Sequence, residues 1–128
     1  MIVYLVGMPG SGKSSVGPAL ASRLDVPFVE LDAEVERAAG ASVRDIFERE
    51  GEARFRALEA QALVEASRHD PSVVSCGGGV VLEPANRVTL RATGEVVFLG
   101  EIFNGVDERT YEIPALTDRK STRLNSSH

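Results

Sequence analysis

The stretch Gly7-Met-Pro-Gly-Ser-Gly-Lys-Ser14 constrains this chain more than any other. It reads G-x-x-x-x-G-K-S, with an additional glycine at Gly10. The apolar, partly β-branched run Ile2-Val-Tyr-Leu-Val6 precedes it, and a helical pattern from about Lys13 to Leu24 follows. Strand, glycine-rich loop and helix in that order make a phosphate cradle. The glycines permit tight turns and bring backbone N–H groups close to phosphate oxygens. The helix turns the positive end of its dipole toward the same anion. In this arrangement Lys13 reaches the β- and γ-phosphates and the Ser14 hydroxyl holds Mg²⁺. A glycine-rich turn that binds nothing is the bland alternative, and the coincidence of all three parts argues against it.

Alternation continues along the chain. The run at residues 2–6 suits a strand buried on both faces of a parallel sheet. In the helix after the loop, Val16, Leu20 and Leu24 recur at helical spacing and are expected to face the core. Pro18 lies too deep for a first-turn proline; it removes a backbone bond to Ser14, so a bend or loosened turn is expected near the phosphates. Phe28-Val-Glu-Leu31 reads as a second strand. Asp32 is placed to cap a helix from Ala33 to Ala39 that Gly40 ends. Two apart on a strand end, Glu30 and Asp32 would share a face and point toward the loop; a polar strand end plus a cap is the alternative.

Ser42-Val-Arg-Asp45 opens the next helix as a capping-box-like start, and Gly51 should stop it. A longer helix from Glu52 to Arg68 carries Phe55, Leu58, Ala62 and Ala66 as an apolar stripe. On its surface Arg56 and Glu59 are neighbours, either as a solvated ion pair or as a substrate-binding arginine held by its carboxylate. His69 reads as a surface residue at the helix end. Val73-Val-Ser-Cys76 is a third strand, and the triplet Gly77-Gly-Gly79 leaves it at the end where open α/β sheets bind ligands. Cys76 reads as a small buried filler. A helix from Pro84 to about Ala92 and a fourth strand, Glu95 to Leu99, complete the recognisable pattern.

With 128 residues and 43% hydrophobic content, the chain is long and apolar enough for one packed domain. Its net charge of −5 argues against a nucleic-acid partner. A lone cysteine allows no internal disulfide and fits a reducing cytoplasm. No run approaches the ~18 apolar residues of a membrane span, and an N-terminus that opens on a strand leaves no room for a leader.

The phosphate loop, Phe28-Val-Glu-Leu-Asp32, Asp45-Ile-Phe-Glu-Arg-Glu-Gly-Glu52, Phe55-Arg-Ala-Leu-Glu59 and Gly77–Gly79 occur in that order over about residues 2–100. The combination resembles the shikimate kinases, small P-loop enzymes of the nucleoside-monophosphate-kinase type. The resemblance implies a three-layer α/β/α fold with a parallel sheet, four strands of which are recognisable here and a fifth is not. It implies transfer of the ATP γ-phosphoryl group to the 3-hydroxyl of shikimate, with Mg²⁺. Gly7, Pro9, Gly10, Ser11, Gly12, Lys13, Ser14 and Ser15 would bind the nucleotide. Asp32 would bind shikimate and accept its proton, and Arg56 would grip its carboxylate, oriented by Glu59. Gly77, Gly78 and Gly79 would form a backbone wall, and Glu30, where the family has aspartate, would join Ser14 at the metal.

After Leu99 the pattern departs. The family's lid arginine falls on Ile113 in Ile113-Pro-Ala-Leu116, with Arg109 and Arg119 at no supporting spacing. The tail at residues 118–128 is polar and unlike the fold, so residues 1–117 read as a kinase domain incomplete at its C-terminus. The resemblance implies a monomer when complete; an uncovered fourth strand would favour self-association, and turnover would be weak or absent. A non-catalytic nucleotide-binding module, or another small-metabolite kinase such as a gluconate kinase, is the alternative.

Overall fold

The computed structural model describes residues 1–7 and 13–99, with residues 13–15 by backbone alone. Nine elements run β1 (Ile2–Gly7), α1 (Lys13–Leu24), β2 (Phe28–Glu30), α2 (Leu31–Ala39), α3 (Val43–Ala66), β3 (Ser72–Gly77), a 3₁₀ turn (Gly78–Leu82), α4 (Pro84–Thr93) and β4 (Gly94–Leu99). The four strands form one parallel sheet in the order β2-β3-β1-β4. This bears out the expected α/β fold.

Strand β1 lies between two neighbours and is buried along its whole length, as its unbroken apolar run requires. Its side chains alternate between two cores. Ile2, Tyr4 and Val6 join Val74, Val96, Leu63, Val80 and Leu90 on the face covered by α3, the 3₁₀ turn and α4. Val3 and Leu5 join Val73 and Ala21 on the face covered by α1. Each large apolar side chain buried this way contributes about 1.5–3 kcal/mol.

Helix α1 runs through Pro18 as one continuous element. Its buried face is only partly the expected one, since Leu20 packs against the core. Val16 and Leu24 are 42% and 50% exposed, whereas Gly17 and Ala21, one turn apart, are buried. The reason is closeness: a Cβ on Gly17 would fall 2.3 Å from the Phe28 ring. Small residues let this helix approach the sheet; Leu20 packs beside this core, while Val16 and Leu24 stay at the rim.

Between β2 and β3 the chain makes an excursion with a core of its own. Val35 of α2 packs with Ile46, Phe55 and Leu58 of α3, and the Phe47 and Phe55 rings lie 4.8 Å apart. Gly40 ends α2 in a left-handed conformation, donating to the carbonyl of Glu36. The Ser42 hydroxyl accepts from the Asp45 N–H at 3.1 Å, as the capping pattern predicts. Gly51 breaks α3 into two helical segments with φ 86° and ψ 172°, a conformation open essentially only to glycine.

Helix α2 begins earlier than the periodicity suggests. The strand ends at Glu30, which stands at the N-cap position without a side-chain cap bond, and Asp32 is the second residue of the helix. Asp32 is therefore neither the cap nor a strand partner of Glu30. Burial decides this: Leu31 and Val35, one helical turn apart, are both fully buried, which requires helix from Leu31 onward. In the first turn the Asp32 carboxylate still complements the helix dipole.

Candidate active site

Parallel register brings the functional segments to one edge. Gly7 of β1 pairs with Gly77 of β3 and with Leu99 of β4, and Glu30 pairs with Ser75. The start of α1 at Lys13, the last residue of β2, the first turn of α2 and the glycine triplet thus all lie at the carboxyl end of the sheet, where α/β folds bind ligands. Met8, Pro9, Gly10, Ser11 and Gly12 lie outside the described residues, as do the side chains of Lys13, Ser14 and Ser15, Ile113, Arg109, Arg119 and the polar tail.

Arg56 is the best-defined member of the site. Its Nη1 donates to Glu59 Oε1 at 2.9 Å, and its Nε donates to Glu52 Oε2 at 3.4 Å. The guanidinium carries five N–H donors, so part of the fork remains for a ligand. The Arg56 side chain is 25% exposed and that of Glu59 only 2%. The pair is therefore not the solvated surface bridge that helical spacing alone allows. The Gly79 backbone lies against the same guanidinium: a Cβ there would fall 2.5 Å from Nη1 and from Nη2. Arg56 also stacks over Phe55, 5.3 Å from the ring centre.

Electrostatics tie further carboxylates to this point. Burial pushes the Glu59 carboxyl up from its ordinary value; Arg56 pulls it down, and the charges of Asp32 and Glu83 raise it further. Burial opposes the charge on Arg56, yet its bonds to Glu59 and Glu52 outweigh that, so the guanidinium stays fully charged. Asp32 is exposed, and its effect on Glu59 puts it within electrostatic reach of the Arg56 pair. Beside that pair, a cleft of about 550 Å³ runs along Arg56, Leu82, Glu83 and Asn86. Asp32 does not line it.

The turn that the glycine triplet leads into is held by side chains of α4. Gly78 and Gly79 begin the 3₁₀ turn. The buried Asn86 donates from Nδ2 to the Val80 carbonyl at 3.0 Å, and Arg87 donates to the Val81 carbonyl at 2.8 Å. Sequence reasoning missed Glu52, Glu83, Asn86 and Arg87. The Glu52–Arg56 spacing of four was a usable signal; nothing local marks the other three.

Glu30 is exposed at the end of β2. No cluster of three or more His, Cys, Asp or Glu side chains suited to a metal occurs among the described residues. Mg²⁺ does not need one, since it is usually held by one or two protein groups together with substrate phosphates. An exposed carboxylate on the edge that carries Gly7 fits that pattern.

A family model described as shikimate kinase matches residues 9–125. The shikimate kinase of Paracidovorax citrulli (strain AAC00-1) is 46% identical over 110 residues, covering 81% of this chain and 60% of that protein. The shikimate kinase of Aromatoleum aromaticum is 48% identical over 110 residues, covering 86% of this chain and 63% of that protein. The chain therefore spans about three fifths of the length of these curated relatives. Among solved structures, shikimate kinase from Aquifex aeolicus superposes with a TM-score of 0.76 at 38% identity, covering 82% of this chain and 62% of that one. Shikimate kinase from Acinetobacter baumannii in complex with shikimate superposes with a TM-score of 0.74 at 35% identity, covering 97% of this chain and 64% of that one. With a family model matched over residues 9–125 and relatives 46–48% identical over most of its length, this chain belongs to the shikimate kinase family.

Proposed function

We propose that this chain carries the phosphate-binding and acceptor-binding parts of an ATP-dependent kinase that phosphorylates the 3-hydroxyl of shikimate. The observation that carries the reading is the Arg56 fork, held by buried Glu59 and resting on the Gly79 backbone at the sheet edge that carries Gly7. A planar guanidinium fixed this way suits a carboxylate ligand in a two-pronged grip. Gly77–Gly79 let the ring of the acceptor approach bare backbone.

In this reading Gly7, Pro9, Gly10, Ser11, Gly12, Lys13, Ser14 and Ser15 surround the ATP phosphates, with Lys13 neutralising charge on the transferring group. Asp32 orients the 3-hydroxyl and takes its proton as the new P–O bond forms and the bond to the ADP oxygen breaks. Ser14 and Glu30 would hold Mg²⁺, directly and through water, and the metal supplies charge neutralisation on the phosphates. Most of the rate then comes from positioning and electrostatics. With Ile113 at the position of the family's lid arginine, turnover by this chain is expected to be low, since such arginines contribute on the order of 10³ or more in rate.

Residues 1–117 are read as the kinase unit and 118–128 as a polar tail. A cytoplasmic setting fits the single cysteine, Cys76, which is buried, and no described helix is long and apolar enough to cross a membrane. ATP and shikimate are the expected ligands, with no nucleic acid.

Shikimate-dependent ADP release with Mg-ATP, beside a Lys13→Ala control, tests the reading. Turnover that needs shikimate and vanishes in the control supports it. ATP binding that depends on Lys13, with no shikimate-dependent turnover or shikimate binding, would replace it with a non-catalytic nucleotide-binding module. The substitution at Glu30 favours that second reading, because glutamate reaches a metal-bound water through one more rotatable bond than aspartate.

A further inference from the structure

A guanidinium offers a carboxylate two edges with paired N–H bonds: the end, Nη1 with Nη2, and the side, Nε with Nη2. In Arg56 the end is closed. A Cβ on Gly79 would fall 2.5 Å from both Nη atoms and 2.7 Å from Cζ. Being nearer to both Nη atoms than to Cζ, that point lies outward of the end, where a ligand's oxygens would have to stand, and the Gly79 backbone borders it. Nη1 is also engaged by Glu59 Oε1 at 2.9 Å. The side edge remains, and Glu52 stands on it, its Oε2 accepting from Nε at 3.4 Å. Neither bond uses Nη2.

The two glutamates differ in kind. The Glu59 side chain is 2% exposed, whereas that of Glu52 is 65% exposed and its contact with Arg56 is long. A helical pair of that sort contributes little to stability. For the same reason Glu52 is easily displaced from the edge it occupies. It has room to leave: the cleft that Glu52 and Arg56 both line is walled by Ala53, Ala57, Ala60 and Ala85.

We propose that Glu52 sets the strength of the acceptor grip, as a carboxylate of the protein that occupies the open edge of Arg56 and competes there with the carboxylate of the ligand. The inference rests on the acceptor reading above. A planar ligand carboxylate bonds both Nε and Nη2 and so displaces the single bond of Glu52. It does so against the repulsion of a second negative charge, which keeps the grip loose and the ligand exchangeable.

The test is calorimetry on the full chain and on Glu52→Gln, which keeps the shape and removes the charge. The ligands are shikimate, its uncharged methyl ester, and cyclohex-1-enecarboxylate, a ring carboxylate without hydroxyls. Glu52→Gln should tighten both carboxylates about fivefold, through lost competition and lost repulsion. The gain should shrink at high salt. The ester, with no charge to repel, should gain at most about twofold. Glu50→Gln, which removes a carboxylate paired with Arg54 instead, should leave all three ligands within about twofold. A helix-stabilising role alone would predict unchanged or weaker binding in Glu52→Gln, and either result for the carboxylates overturns the proposal. It is equally overturned by an equal gain in Glu50→Gln, by an equal gain for the ester, or by neither carboxylate binding Glu52→Gln up to millimolar concentration. Failure of the acceptor reading looks different: shikimate would bind no better than the bare ring carboxylate, while Glu52→Gln still tightened both.

Discussion

The guanidinium of Arg56 fills the space that a side chain on Gly79 would need, with both Nη atoms 2.5 Å from where a Cβ would sit. The arginine cannot give way freely, because Nη1 is bonded to a carboxylate buried beneath it. Gly79→Ala should therefore displace the fork. Shikimate affinity, measured by calorimetry, should fall about tenfold or more, the worth of a hydrogen bond to a charged group. ADP affinity should stay within about twofold. Unchanged shikimate affinity would mean that the fork does not grip the acceptor.

Removing the arginine isolates its partner. Arg56→Ala leaves the Glu59 carboxylate, 2% exposed, without its cation. The expected loss is about 3 kcal/mol, at the low end for a broken buried pair because Arg56 itself is partly solvated. In a Glu59→Gln background the same substitution should cost about 1 kcal/mol, the worth of an ordinary hydrogen bond. Urea unfolding of the four chains closes the cycle. Equal losses in both backgrounds would show that the pair is not coupled.

The pH dependence of stability follows from Glu59. Burial, with help from Asp32 and Glu83, raises its pKa above 4.5 despite the pull of Arg56. The folded chain then holds this proton more tightly than the unfolded one. The associated stability is complete below about pH 4.5, the ordinary glutamate value, and is lost as pH rises through the folded value. Wild type should therefore lose stability relative to Glu59→Gln between pH 4 and 7.5 in urea titrations. A relative gain with rising pH would mean that Arg56 outweighs burial.

Gly51→Ala tests the break in α3. With φ 86° and ψ 172°, a side chain there is strained although no atom lies within 4 Å of the added Cβ. The cost should be about 1–3 kcal/mol. A neutral effect would indicate that the two segments can straighten into one helix.

The architecture was legible because it rests on periodicity and punctuation. The apolar run of β1, the glycines at Gly40 and Gly51 and the Ser42 cap each state a local rule that the packing obeys. Arg56 and Glu59 were legible as neighbours, since three residues on a helix is a fixed distance. The depth of Glu59 was not, because burial depends on packing from other parts of the chain that helical spacing does not encode. Helix α1 misled for a related reason. Its large residues mark a face by hydrophobicity, whereas the sheet selected the face at Gly17 and Ala21 by closeness. Asp32 was displaced from its expected role as cap by Leu31, whose burial pulled the helix start back.

The separate core of the excursion between β2 and β3 has a consequence for how the two ligand halves can vary. Val35, Ile46, Phe55 and Leu58 hold together the helices that carry Asp32 and Arg56, while the sheet cores anchor Gly7 and the glycine triplet. Two cooperative units with unequal opening free energies can sit within one small chain. Hydrogen exchange should then find the part of α3 up to Leu58 releasing its amides at lower cost than β1 and β3, since Leu31, Leu63 and Ala66 tie the start of α2 and the end of α3 into the sheet core. Under the proposed function, substitutions that soften this satellite would loosen the grip on the acceptor while sparing the phosphate end, so acceptor preference could drift over generations without disturbing nucleotide binding.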